Sequence, residues 1–168
     1  MVNRPIFVSF AGFCFLLSGC LSGCRSEPPS PAATSSVVND ACALLTPSEV
    51  SAALGAPVDP GKHVPATSAI MCFWDESGTS GDTANRVSVN FTSLDSFERE
   101  KRPVPRIVIT PVSGVGTEAF DVATVFGHSI YVKKGDRAFV LGMKVKGVAP
   151  DQLKEKERAL AVQVAARL

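Results

Sequence analysis

Histidine is almost absent from this chain: His63 and His128 are the only two among 168 residues. Neither has a metal-spaced neighbour, which argues against a zinc site. A dominant charge of one sign is also lacking, with 17 Lys and Arg against 16 Asp and Glu. A cut before residue 24 would remove Arg4 and leave 16 of each sign. A net charge near zero gives no electrostatic footprint for nucleic acid. After residue 24 no apolar run is long enough to span a bilayer. There is no G-x-S-x-G elbow, so a serine hydrolase site would have to be assembled from residues far apart in sequence. What remains is ordinary globular composition, 45% hydrophobic and 20% charged, with one domain as the natural expectation.

The N-terminus is the most legible part. Residues 1–4 form a short basic region and residues 6–17 an apolar run of about a dozen residues, too short to span and typical of a signal peptide. Leu17-Ser18-Gly19-Cys20 follows, and the same four residues recur as Leu21-Ser22-Gly23-Cys24. Each resembles a bacterial lipobox, where small residues precede a cysteine whose thiol is acylated and which becomes the mature N-terminus. Cys20 abuts the apolar run; Cys24 opens directly onto a polar stretch and, as the processed end, leaves Cys42 and Cys72 as an even pair. The reading is therefore a signal peptide over 1–23, lipidation at Cys24 with Cys20 as the alternative, and a Pro/Ser/Ala-rich tether over 24–39. Residues 40–168 form the domain.

Within it, residues 40–58 carry the strongest local signals. Thr46-Pro47-Ser48-Glu49 reads as a capping box with proline at the first helical position. Leu45 and Val50 have the spacing of a hydrophobic staple, and Gly55 suits a left-handed stop. Ile70, Cys72 and Trp74 fall on one face of a strand, Met71 and Phe73 on the other. Residues 86–92 alternate cleanly, with Val87, Val89 and Phe91 inward, and form a hairpin with the preceding strand. A short helix is expected over 94–101, capped by Asp95 or Ser96. Strands follow over 106–110 and near 122–126, with a glycine turn between. Residues 129–133 and 137–145 make a hairpin around Gly135-Asp136, a glycine-first pair suited to a type II′ turn. Residues 150–168 form a helix with Leu153, Leu160, Ala161, Val164 and Leu168 on its apolar stripe and Lys154, Glu155, Lys156 and Arg158 on the wet side. This order predicts an α+β fold, an antiparallel sheet with helices packed on one face.

Cys42 stands just before the capped helix and Cys72 on the strand face that the helix stripe must cover. Export would let them pair, stapling helix to strand across a loop of about thirty residues. Two reduced buried cysteines, or pairing with another chain, are the alternatives. Other constellations read as structure. Gly114-Val115-Gly116-Thr117-Glu118-Ala119 matches G-x-G-x-x-A, but strand rather than helix is expected after it, so a structural turn is the better reading. Asp75 and Glu76 lie at a strand end beside a polar loop and read as solvated. Trp74 beside a disulfide reads as core, although Trp74, Phe139 and Met143 could line a pocket between sheet and C-terminal helix.

Taken together, a lipobox, a tether, Asp40, Cys42, Leu44, Leu45, Thr46, Glu49, Val50, Leu54 and Gly55, then Cys72 and Trp74, resemble a family of small lipoproteins of unknown function, of actinobacterial type. The glycine turn at 112–119 and the C-terminal helix also fit. The resemblance implies an exported α+β domain with a disulfide and brings no catalytic residues. The expected function is a membrane-anchored, non-enzymatic binding or accessory module of the cell envelope, without cofactor, engaging a protein or envelope component. The alternatives are a carrier or sensor of a small apolar ligand and a hydrolase with a non-sequential site. A carrier needs a lined cavity, a hydrolase a histidine bonded to Ser, Asp or Glu in a cleft, and a binding module an exposed apolar patch.

Overall fold

The computed structural model describes residues 38–79, 81–124 and 127–168; Cys20, Cys24 and the tether lie outside them. Helix α1 (Pro47–Leu54) starts as its sequence dictates. Thr46 is extended, its Oγ1 accepts from the Glu49 N–H at 3.3 Å, and its own N–H donates to Glu49 Oε2 at 2.8 Å. Both bonds satisfy donors that the helix end would leave open. Gly55 closes the helix at φ +77° and donates to Ser51 O at 2.8 Å.

Seven strands form one antiparallel sheet: β1 (Lys62–His63), β2 (Met71–Asp75), β3 (Arg86–Thr92), β4 (Val108–Pro111), β5 (Glu118–Thr124), β6 (Gly127–Lys134) and β7 (Arg137–Lys144). Their order across the sheet is β1-β2-β3-β7-β6-β5-β4. Gly135 sits at φ +60° and Asp136 does not have positive φ, the pattern a type II′ turn requires between Lys134 and its partner Arg137. The register stacks apolar residues on one face: Cys72 opposite Val89, Val89 opposite Leu141, and Leu141 opposite Ile130. Helix α1 and the C-terminal helix α3 (Pro150–Ala166) cover that face, and Val50, Leu54, Leu160, Ala161 and Val164 complete a single core with it. Lys156 Nζ reaches the Ala53 carbonyl at 2.7 Å, and Arg167 clamps Glu49 with its two terminal nitrogens, Nη1 and Nη2, tying the two helices together. That clamp and the Thr46 cap hold the Glu49 carboxyl down at about 2.

Helix α2 (Leu94–Glu100) takes the opposite face, where Phe97 packs on Phe120 with centroids 5.0 Å apart and Phe120 stacks on Tyr131. The arrangement of helices on one face therefore applies to α1 and α3. The cap of α2 is Ser93, not Asp95 or Ser96: β3 ends at Thr92 and the chain turns into the helix at once, with Ser93 Oγ accepting from Ser96 N–H at 3.1 Å. Ile70 also departs from expectation. It precedes β2 and is 55% exposed, because the alternation through Cys72 and Trp74 does not extend past the strand end.

The disulfide is present. A 3-10 turn (Ala41–Ala43), started by Asp40 accepting from the Cys42 N–H at 2.8 Å, sets Cys42 against β2, and the Cys42–Cys72 Cα atoms lie 5.0 Å apart. That separation is ordinary for a bridge. Among the described residues no helix is long and apolar enough to cross a membrane.

Candidate functional site

Trp74 and Phe139 are fully buried in the main core beside the disulfide and the helix stripe. Neither lines the clefts described below; Met143 lines another, of about 290 Å³, at the end of β3 and β7, together with His128 and Leu153. His63 pairs with Cys72 across β1 and β2, and its Nε2 meets Asp40 Oδ1 at 2.7 Å. This hydrogen bond is the main reason the Asp40 carboxyl titrates below its ordinary range. The ligand atoms of Asp40, Cys42 and His63 lie within 4.8 Å of one another. The Cys42 sulfur, however, is bonded to Cys72 and offers no thiolate, so the set does not suit a zinc ion while the bridge stands. Asp75 accepts from Arg86 Nε at 2.5 Å and Glu76 from Asn85 Nδ2 at 2.9 Å, so this acidic pair braces a strand end. At the glycine turn, a Cβ on Gly116 would lie 2.3 Å from the Lys133 carbonyl, and β5 follows directly. The turn is packing, with no helix to receive a pyrophosphate.

The chemistry-bearing cluster lies elsewhere, under α3. The β6–β7 register ends at Ser129 opposite Gly142, and Gly127 and His128 continue paired only with β5. Met143 is one residue past that last pair, and its N–H donates to Glu157 Oε1 at 2.9 Å. Glu157 is 1% exposed, and its Oε2 has no hydrogen-bond partner among the described residues. Burial pushes its carboxyl up to about 8, with the negative charge of Asp121 adding to the shift and the Met143 N–H and Lys154 opposing it. Asp121, on the same sheet face, is also buried. Its Oδ2 pairs with Lys154 Nζ at 3.3 Å and lies 3.7 Å from His128 Nδ1, too far for a hydrogen bond. These two acids form the floor of a cleft of about 300 Å³ whose sides include Val112, Ile130, Lys154 and Arg158.

Glu157 was readable as a candidate. Spacing from Leu153 by four and to Leu160 by three puts it on the apolar stripe of α3, where a charged residue demands a reason. The Asp121 side of the cluster was not readable, since it depends on which strand lies under the helix.

A second concavity, about 460 Å³, opens along the β4 edge of the sheet. Pro103, Ile107, Ile109, Pro111 and Phe120 make it apolar, and Lys101 and Glu118 close one end with a 2.8 Å ion pair. Val104 and Val108 (62% exposed) are open to solvent, and Val108, alternating with Ile107 and Ile109, faces the other side of the sheet.

No family model, curated protein or solved structure matches this chain. The α+β architecture and the disulfide stand on the geometry alone.

Proposed function

We propose that the chain is a lipid-anchored extracytoplasmic lipoprotein of the small family it resembles, and that its domain is a non-enzymatic binding module for a protein of the cell envelope. The observation that carries the binding reading is the apolar groove at the edge of the sheet. Beta strand β4 pairs with β5 on one side and with no strand of the described residues on the other. An outer strand of this kind presents free N–H and C=O groups to an extended segment, and the neighbouring groove would receive alternate apolar side chains. The occupant that fits is therefore an extended, apolar stretch of a partner protein. The disulfide supports an oxidising, extracytoplasmic compartment, and the doubled Leu-Ser-Gly-Cys supports lipidation.

The other two readings have less support. A carrier of apolar ligands would use Trp74, Phe139 and Met143 together; Trp74 and Phe139 are enclosed by core, and of the three Met143 alone lines a cleft. A hydrolase would bring a histidine to Ser, Asp or Glu in a cleft; His63 meets Asp40 at 2.7 Å, but neither histidine has a serine hydroxyl bonded to it among the described residues. A photo-crosslinking residue at Pro103, an exposed residue of the groove lining, in the full chain in its native membrane, tests the groove. A discrete adduct that Ile109→Asp abolishes is expected. Absence of any adduct, or one equally strong from an exposed position on α3 such as Ala159, would remove the groove as the docking surface.

A further inference from the structure

We infer that the cleft between α3 and β5 binds a small monovalent organic cation, a primary amine, whose ammonium group sits against Glu157 Oε2 and Asp121. The site is distinct from the β4 groove and does not depend on a protein docking there.

Three observations converge. Glu157 Oε2 is buried and without a hydrogen-bond partner, and its residue lines the cleft. Buried polar oxygens without partners are uncommon and costly. The first oxygen of the same carboxyl is held by the Met143 N–H, which fixes the side chain; the second oxygen is enclosed, so an ammonium reaches it by displacing the side chains that cover it. No ion pair reaches Glu157 among the described residues, because Lys154 sits on Asp121. The charged and titratable groups around the floor are Asp121 and His128 on the sheet and Lys154, Glu155 and Arg158 on α3. Arg158 also lines the cleft, its Nη2 held by the Ser113 carbonyl at 2.8 Å.

The charges specify the ligand. With Glu157 protonated, as burial dictates, Asp121 and Lys154 balance each other and the floor is neutral. Entry of one ammonium keeps it neutral only if Glu157 gives up its proton to solvent. The exchange is R–NH3⁺ plus Glu157–COOH yielding the ammonium–carboxylate pair plus H⁺. Val112 and Ile130 would then flank a short alkyl stem. A divalent metal fits poorly. Asp121, His128 and Glu157 do not converge as metal ligands do, the one such cluster among the described residues being Asp40, Cys42 and His63.

Calorimetric titration of the purified full chain with butylamine tests this, run at pH 7 in two buffers of different ionisation enthalpy. Binding with release of close to one proton is expected, weakening about tenfold for each pH unit below 8. Butan-1-ol, sodium chloride and potassium chloride should give no binding. Glu157→Gln, checked for fold by near-UV circular dichroism, should bind butylamine at least tenfold more weakly and release no proton. Asp121→Asn should weaken binding and supplies the test if Glu157→Gln does not fold. No butylamine binding, binding without proton release, butan-1-ol binding as well as butylamine, sodium or potassium binding in its place, or unchanged affinity in the variants would each overturn the inference. Every one of these outcomes leaves the groove at β4 to be judged by its own crosslink.

Discussion

Replacing Glu157 with glutamine should change how stability depends on pH. Its carboxyl moves from 4.5 to about 8 on folding. Below pH 4.5 it is protonated in both the folded and unfolded chain, and it contributes no pH dependence. Between 4.5 and about 8 the unfolded chain releases the proton while the folded chain keeps it, so each rise in pH favours unfolding. Above about 8 both states are ionised and the loss is complete. At about 1.4 kcal/mol per pH unit, the full loss approaches an upper bound of about 5 kcal/mol, reduced by local relaxation and water entry. Glutamine keeps an oxygen to accept the Met143 N–H and cannot ionise. Urea melts of both proteins from pH 4 to pH 9, with the disulfide intact, isolate the effect as a difference between variants. The glutamine form should gain on the parent by at least ~2 kcal/mol between pH 5 and pH 8.5. Curves that run parallel across that range would show that Glu157 is not held protonated, and the charge-balance argument for the cleft would go with it.

Other positions give sharper local tests. Thr46→Ala removes the α1 cap and should cost on the order of 1 kcal/mol in a denaturant melt. Gly116→Ala forces a Cβ to within 2.3 Å of the Lys133 carbonyl at φ +60°; it should destabilise by more than ~2 kcal/mol, well beyond Gly55→Ala, whose Cβ meets nothing within 4 Å. Replacing Cys42 and Cys72 together by alanine opens a loop spanning a sequence separation of 30. Roughly 3–4 kcal/mol should be lost, measured against the oxidised parent, without a change in the butylamine affinity of the α3 cleft.

Local chemistry made much of the fold readable. The residues that define α1 lie within ten positions of one another, and each acts on its own neighbours: Thr46 on the Glu49 N–H, Pro47 through its fixed φ, Gly55 through its left-handed turn. The same holds for the Gly135-Asp136 hairpin and the alternation of β3. The cysteine pairing became readable because α1 and the 72–74 strand share one apolar face. Ile70 shows how a period-2 pattern overruns when the strand end is set by pairing. The Ser93 cap depended on β3 ending at Thr92, and the face chosen by α2 depended on Phe120 and Tyr131 coming together from different strands. Both proposed binding surfaces are long-range in this sense. The β4 groove exists because β4 is outermost, and the acid floor exists because α3 packs on β6 and β7 where the β6–β7 ladder has opened, beside Asp121 of β5. Strand order is a property of the whole sheet, and no short window of sequence carries it.

The central claim, a lipid-anchored domain held outside the cytoplasm, is tested most directly at the N-terminus. The full chain, expressed in a bacterial host that processes lipoproteins and extracted from the membrane fraction, can be digested and its N-terminal peptide weighed by mass spectrometry. The account predicts a peptide beginning at Cys24, or at Cys20, carrying diacylglycerol and fatty-acid mass. Cys24→Ser should abolish that mass or move it to Cys20. A peptide beginning at Met1, or an unmodified N-terminus on a protein found only in the soluble fraction, would contradict it.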